Sequence, residues 1–292
     1  ADCDFPALAR IACDAGVQAQ LTALLRQGTS YASAWEQLFA AHSEKLEKPL
    51  SSPNDILALS YTQAILRHGY DIEPLYVQRQ DSGYNSTEIS STLASATAIR
   101  QALATGNASW QQAVPHAVQD ALLHAGYDAG LLWQLICYRL RLLSSAEIAA
   151  RTECSEGLEN RLKQAADCGS LTEAVAACSS KRYTASRCRR LLLQLLCDVP
   201  RETWVQQHAA YLRVLAFNDT GRQLLKQMKK TAALPLITKL GRGWQYDVGQ
   251  AEACHPQLAL ELKATDIWSL LQKRTELNRQ GNDYYLSPVY VK

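Results

Sequence analysis

The chain has 292 residues, of which 47% are hydrophobic and 20% are charged. This length exceeds the usual size of a single core and leaves room for two domains. No apolar run reaches the roughly 18 residues that a membrane-spanning helix needs, which predicts a soluble protein without a membrane partner. Thirty basic and 28 acidic residues give a net charge of +2, so the overall charge neither indicates nor excludes a nucleic-acid ligand.

The cysteines and histidines predict no metal site. Nine cysteines occur without a C-x-x-C pair, a spacing that suits neither zinc nor a disulfide framework. Most lie among leucines and alanines, where a free thiol is a small core hydrophobe, and this favours a reducing, cytoplasmic location. The first residue is Ala1 rather than Met and no signal pattern follows it, so we expect the chain to begin within a longer protein.

The first part of the chain predicts several helices and one strand. Apolar spacing predicts a helix from about Leu8 to Leu25, a second helix around Trp35, and a third from Pro53 that Gly69 ends. The segment from Ile72 to Arg79 has the alternation of a strand, with Leu75 and Val77 on one face and Tyr76 on the other. A polar loop over 80–93 follows.

The rest of the chain is predicted to be mostly helical. Short polar joints separate the helices, as in a bundle. The predicted helices lie at about 131–143, 146–151, 157–166, 171–178, 183–197 and 221–230. The tail adds a strand at 234–240 and a helix at 266–273. We place a domain boundary near Ser109, which gives domains of 1–108 and 109–292.

The segment Ser95-Ala96-Thr97-Ala98-Ile99-Arg100 opens a predicted helix after the strand and the polar loop. Free backbone N–H groups and the helix dipole favour an anion there, the hydroxyls of Ser95 and Thr97 add donors, and Arg100 can grip a phosphate. The alternative is an ordinary helix cap followed by an exposed arginine.

The predicted helix from Tyr183 carries the strongest signal for nucleic-acid binding. Tyr183, Arg187 and Arg190 share one helical stripe, and Lys181 and Arg182 precede the positive end of the helix, where the dipole disfavours cations. RNA phosphate would relieve these charges and Tyr183 could stack on a base. The alternative is that the cations pair with Glu153, Glu156 or Glu159. The basic stretch Lys226–Lys230 is predicted to be a solvated helix face.

Several ordered motifs resemble the bacterial tRNA(Met) cytidine acetate ligase family, within the nucleotidyltransferase superfamily that carries an H-x-G-H motif. The matching motifs are Ser52-Pro53-Asn54-Asp55-Ile56-Leu57, Ser95 to Arg100, Glu156-Gly157-Leu158-Glu159-Asn160-Arg161, Lys181-Arg182-Tyr183-Thr184 with Arg187, Pro235-Leu236-Ile237-Thr238-Lys239 and Ala264-Thr265-Asp266-Ile267. The resemblance implies a mainly α protein with some β: part of a Rossmann-like α/β nucleotidyltransferase domain, then a helical tRNA-binding domain and a small mixed C-terminal part.

The resemblance also implies an activity and its ligands. An enzyme of this kind uses ATP, with Mg²⁺, to convert acetate to acetyl-adenylate and acetylates the wobble cytidine of elongator tRNA(Met) to N4-acetylcytidine. It adds Asn54, Arg79 and Gln80 to Ser95, Thr97 and Arg100 as nucleotide-binding residues. The tRNA-binding residues it implies are Lys181, Arg182, Tyr183, Arg187 and Arg190. No side chain of the chain is assigned as a catalytic base.

One motif of the family is absent from the sequence. No H-x-G-H occurs, and His124-Ala125-Gly126-Tyr127 is the nearest string. We therefore expect this chain to be incomplete for catalysis and to bind nucleotide poorly alone. Two other functions stay open from the residues: a non-catalytic RNA-binding module, and a nucleotidyltransferase that makes a dinucleotide cofactor.

Overall fold

The structure is a computed structural model that divides the chain into two compact units, Ala1–Ala125 and Gly126–Lys292. It describes residues 4–29, 31–42, 53–78, 89, 93–124, 126–151, 153–155, 157–180, 183–201, 209–240, 255–273, 276 and 278–292. The helices and strands, in chain order, are α1 (Phe5–Cys13), α2 (Ala15–Arg26), α3 (Tyr31–His42), α4 (Pro53–His68), α5 (Ala96–Thr105), the 3-10 helix η1 (Ala108–Ala113), α6 (His116–His124), α7 (Ala129–Leu142), α8 (Ser145–Ala149), α9 (Leu158–Ala165), α10 (Leu171–Cys178), α11 (Ala185–Cys197), β1 (Leu212–Arg213), β2 (Ala216–Phe217), α12 (Asp219–Thr231), β3 (Leu236–Ile237), α13 (Pro256–Leu270), α14 (Asn282–Tyr285) and β4 (Val289–Tyr290).

The first predicted helix is two helices, because Asp14 interrupts it. Asp14 has an extended backbone, and its carboxylate accepts hydrogen bonds from the N–H groups of Gly16 at 2.8 Å and Val17 at 3.0 Å. An acidic cap of this kind starts a new helix. The prediction of one helix from Leu8 to Leu25 was therefore wrong at Asp14, although the apolar spacing on either side of it is helical.

The core of the first unit is built from α1, α2, α3 and α4. Phe5, Leu8, Trp35, Phe39 and Leu59 are all at most 4% exposed, and they belong to one hydrophobic cluster. The rings of Trp35 and Phe39 stack with their centroids 4.9 Å apart. This core fixes the direction of α4, whose first turn carries Asn54.

The strand predicted from Ile72 to Arg79 does not form in the described part of this segment, residues 72–78. The predicted alternation is present: Tyr76 packs on Phe5 and shares a hydrogen bond of 2.7 Å with Thr62, while Leu75 and Val77 are 90% and 85% exposed. A strand also needs a neighbouring strand to pair with, and within the described residues none pairs with this segment.

The division between the units falls later than the predicted boundary near Ser109. Ser109 belongs to η1, which packs on α5, and Asn107 caps η1 by accepting from the N–H of Ser109 at 2.9 Å. The cap starts η1 as a separate helix, and its packing on α5 keeps it in the same unit as α5. The first unit therefore keeps η1 and α6 and ends at Ala125.

The second unit has its main core between α7, α9, α10 and α11, which confirms the predicted helical bundle. Ile136, Leu140, Leu158, Leu191 and Leu195 are completely buried in one cluster. The indole N–H of Trp133 donates to the carbonyl of Cys168 at 2.9 Å. The four helices therefore form one packed body that carries the segment 153–155.

The tail of the second unit mixes short strands with two longer helices. β1 pairs in parallel with β3, and β2 pairs in parallel with β4. α13 starts at Pro256, ten residues before the predicted helix at 266–273. Only 236–237 of the predicted strand at 234–240 forms a strand in the structure.

Candidate functional site

The start of α5 is organised by Ser95. Its backbone is extended, and its hydroxyl accepts the N–H of Ala98 at 3.0 Å. Ser95 is only 1% exposed, because Ala98 and Ala102 turn the same side of the helix inward. Ser95 is therefore the helix cap, and its buried hydroxyl positions the first turn instead of facing a ligand.

The outer side of the same turn is open. Thr97 and Arg100 are exposed, and neither side chain has a hydrogen-bond or ion-pair partner in the part of the chain that the structure describes. The backbone N–H groups of Ala96 and Thr97 likewise have no acceptor among the described residues. Since these groups carry the positive end of the helix dipole, the turn presents two N–H groups, a hydroxyl and a guanidinium to an anion.

The other predicted nucleotide-binding residues are not joined to this turn by described contacts. Asn54 is exposed on the first turn of α4, a helix that packs on α1, whereas α5 packs on η1. Arg79 and Gln80 lie outside the described residues. Of the predicted nucleotide-binding residues, Asn54 therefore lies at the start of α4, and Ser95, Thr97 and Arg100 lie at the start of α5.

Tyr183, predicted to stack on RNA, is a core residue. It is 4% exposed, and its hydroxyl donates to the carbonyl of Ser155 at 2.8 Å. Its backbone N–H donates to the hydroxyl of Ser180 at 3.1 Å. A ring held in this way has no face free for a base, and Lys181 and Arg182, next to it in the sequence, lie outside the described residues.

Arg187 and Arg190 bind the turn before α9. Arg187 donates to the carbonyl of Glu153 at 2.9 Å and to the hydroxyl of Ser155 at 3.1 Å, and its guanidinium lies 5.5 Å from the centre of the Tyr183 ring. Arg190 pairs with the Glu153 carboxylate at 2.9 Å. Arg187 and Arg190 therefore follow the alternative in which the cations bind within the protein. The partner of both is Glu153, through its backbone carbonyl for Arg187 and through its carboxylate for Arg190.

A cluster that sequence spacing did not reveal holds the tail together. The Arg213 guanidinium donates to Glu261 at 2.6 Å and to Asp283, and the Tyr211 hydroxyl donates to Glu261. Burial and the Glu261 carboxylate raise the pKa of the Tyr211 hydroxyl. The bonded partners are 48 to 70 positions apart, so no local pattern could have linked them.

The described cysteines form no disulfide, and burial makes the thiols of Cys154 and Cys178 less reactive. Seven cysteines are without disulfide partners there, and burial raises the pKa of Cys154 and of Cys178 to about 11. Such thiols are weak nucleophiles and weak metal ligands. Across the described ranges, no three His, Cys, Asp or Glu side chains cluster as metal ligands, and no helix is long and apolar enough to cross a membrane.

Two comparisons decide the family. The family described as HIGH Nucleotidyl Transferase matches residues 3–283. A tRNA(Met) cytidine acetate ligase of Syntrophomonas wolfei is 33% identical over 283 residues, which cover 91% of this chain and 68% of that protein. The chain belongs to the tRNA(Met) cytidine acetate ligase group of the HIGH nucleotidyl transferase family. This confirms the resemblance predicted from the ordered motifs.

Other curated relatives bear the same name. The tRNA(Met) cytidine acetate ligase of Acetivibrio thermocellus is 30% identical over 284 residues, or 89% of this chain and 66% of that protein. The one from Alkaliphilus metalliredigens is 32% identical over 86% of this chain and 61% of its own length. The chain therefore spans about two thirds of the length of the curated relatives it matches.

Solved structures show that the fold is shared. Apo TmcAL of Thermotoga maritima has a TM-score of 0.78 to this chain, covering 98% of it and 74% of TmcAL at 24% identity. TmcAL bound with alpha-thio ATP gives a TM-score of 0.77 over 99% of this chain and 74% of TmcAL, at 23% identity. The predicted fold class, mainly α with some β and with a nucleotidyltransferase-like part followed by a helical part, is confirmed.

Proposed function

We propose that the protein takes part in ATP-dependent acetylation of the wobble cytidine of elongator tRNA(Met), forming N4-acetylcytidine. The geometric observation that carries the proposal is the open first turn of α5, where Thr97, Arg100 and two N–H groups offer an anion site. The family supports the rest, because relatives with this name match 85–91% of the chain. The free thiols suit a reducing compartment, and the proposal includes a cytoplasmic location.

The reaction has two steps that need charge neutralisation more than acid–base chemistry. A carboxylate oxygen of acetate attacks the α-phosphorus of ATP, and pyrophosphate leaves. The N4 amine of cytidine then attacks the acyl carbon of acetyl-adenylate, so that a C–N bond forms, AMP leaves and the amine loses a proton. Positioned cations and dipoles are what lower such barriers.

In this proposal the first turn of α5 binds the phosphates of ATP. The N–H groups of Ala96 and Thr97 and the side chains of Thr97 and Arg100 contact phosphate oxygens, and Ser95 holds the turn in place. We assign Asn54, Arg79 and Gln80 to the same nucleotide. Mg²⁺, which is usually held by substrate oxygens with one or two carboxylates, would be held by the ATP phosphates and would neutralise their charge; no side chain of this chain is assigned to it.

The test is a gene deletion in the source organism. Nuclease digests of elongator tRNA(Met) should lose N4-acetylcytidine in mass spectra when the gene for this chain is deleted, and regain it on complementation. Complementation with Arg100→Ala should restore less than about a tenth of the modification, because one charged phosphate contact is worth roughly 1.5–3 kcal/mol. Arg67→Ala, an exposed arginine at the other end of α4, is the control.

The deletion and complementation results separate the proposed function from its alternatives. Normal acetylcytidine in the deletion strain contradicts the proposed function. If deletion removes N4-acetylcytidine and Arg100→Ala restores it fully, the proposed reaction stands, but the first turn of α5 does not bind the ATP phosphates. Binding of tRNA by a protein whose deletion leaves the nucleoside unchanged favours the non-catalytic RNA-binding module.

A further inference from the structure

The surface that carries this inference is the outer face of α12. Its half-buried residues, Gly221, Leu225 and Met228, face the protein, and a Cβ on Gly221 would lie 3.2 Å from that of Phe217. Arg222, Lys226, Lys229 and Lys230 are all exposed. At about 100° per residue these four cations fall within an arc of about 100°, whose centre lies about 120° around the helix from the centre of the half-buried face.

The four cations lack acidic partners in the described part of the protein. The one acidic residue of the helix, Asp219, accepts a hydrogen bond from the Tyr290 hydroxyl at 2.8 Å. Lys229 and Lys230 stand at the C-terminal end, where the dipole favours cations, but Arg222 and Lys226 do not. Like charges spaced by four residues repel, so an anion bound from outside would stabilise this face.

Arg222 is held in place for such an anion. Its guanidinium lies 5.0 Å from the centre of the Tyr290 ring, and Asp219 fixes that ring through its hydroxyl. A guanidinium stacked on a ring keeps its in-plane N–H groups free to bind a phosphate in a fork. One end of the stripe is therefore ordered before any ligand arrives.

The length of the stripe suits a nucleic-acid backbone. Arg222 and Lys230 are eight positions apart, which is about 12 Å along a helix, and phosphates on one strand of duplex DNA follow each other about every 3.4 Å along the axis. The stripe can therefore face on the order of three consecutive phosphates. Arg187 and Arg190, by contrast, are already bound to Glu153.

We propose that the stripe Arg222, Lys226, Lys229 and Lys230 binds the phosphate backbone of the tRNA substrate. This rests on the proposed function, since the partner is the RNA that the acetylation requires. The stripe carries three lysines and one arginine, and contacts of such residues to phosphates position a nucleic acid without reading its sequence, so the stripe fixes the position of a tRNA arm.

Binding of fluorescently labelled elongator tRNA(Met) to the chain, followed by anisotropy, tests this. The variant Lys226→Gln, Lys229→Gln, Lys230→Gln should bind at least about tenfold more weakly near 0.1 M salt, and the slope of log affinity against log salt should fall by about 2–3. The matched control is Arg10→Gln, Arg26→Gln, Arg67→Gln, which also removes exposed cations from last turns of helices and should change affinity less than about twofold.

A charge-conserving variant guards against a folding effect. Lys226→Arg, Lys229→Arg, Lys230→Arg should retain the affinity and the salt slope. Equal losses in the glutamine variant and the control overturn the inference, as does unchanged tRNA binding with lost binding to phosphatidylglycerol vesicles. If gene deletion removes acetylcytidine but the glutamine variant binds tRNA normally, the inference alone fails; if deletion leaves acetylcytidine intact, the proposed function fails.

Discussion

Arg187 and Arg189 are neighbours on α11 with opposite surroundings. Arg187 is half-buried and spans the carbonyl of Glu153, the hydroxyl of Ser155 and the Tyr183 ring. Arg189 is exposed and contacts no acceptor in the described residues. A guanidinium has the planar fork that this set of partners needs, and an ammonium has not. Whether an arginine of α11 is bound within the protein or exposed therefore depends on whether it reaches the acceptors of residues 153–155.

The substitution Arg187→Lys should lower the free energy of unfolding by about 1–3 kcal/mol, because it leaves a partly buried carbonyl without its donor. Arg189→Lys should change it by less than about 0.5 kcal/mol. Urea unfolding followed by circular dichroism measures both. A destabilisation by Arg187→Lys no larger than that by Arg189→Lys would mean that these bonds do not hold the turn, and Arg187 would again be available to RNA.

At the scale of the element, the first turn of α5 has one residue that supports the helix, Ser95, and another that is open to a ligand, Thr97. Ser95 is buried and accepts the N–H of Ala98, whereas Thr97 is exposed two residues later. Ser95→Ala should therefore destabilise the first unit by about 1 kcal/mol. Thr97→Ala should leave stability unchanged or slightly raised, because alanine has the higher helix propensity. Thermal unfolding of both variants checks this, and a larger loss from Thr97→Ala contradicts the assignment of the cap.

Caps and apolar spacing predicted most of these helices because both act within a few residues. Pro53 and Ser95 mark the starts of α4 and α5 as the sequence indicated. Pairing acts across the chain: Leu75 and Val77 alternate like a strand but have no described partner strand, while β2 pairs with β4 more than 70 positions away. The same distance hid the pairing of Arg213 with Asp283. Arg187 and Arg190 lie on α11 as predicted, but Tyr183 precedes its cap Thr184 and is not on the helix. Spacing could not show that Tyr183 would bond to Ser155 or that Arg187 would bond to Glu153.

For the molecule as a whole, cysteines are present in both units, so their alkylation can show when a core unfolds. Cys154, Cys178 and Cys188 belong to the main cluster of the second unit, and Cys13 lies on α1 in the first unit. With a pKa of about 11, roughly 0.1% of Cys154 and Cys178 is thiolate at pH 8. Alkylation of these thiols therefore requires the core to open.

Iodoacetamide labelling at increasing urea, read by mass spectrometry, should show one shared midpoint for Cys154, Cys178 and Cys188, because a single core unfolds cooperatively. Burial raises the pKa of Cys154 and Cys178 above the ordinary value of 9.0, so the folded state binds these protons more tightly. Its stability is then full below pH 9 and declines as the pH rises towards 11, since the unfolded state loses its thiol protons first. The shared midpoint should move to lower urea over that range. Labelling of Cys178 well before Cys154 would show that α10 opens separately from the rest of the bundle.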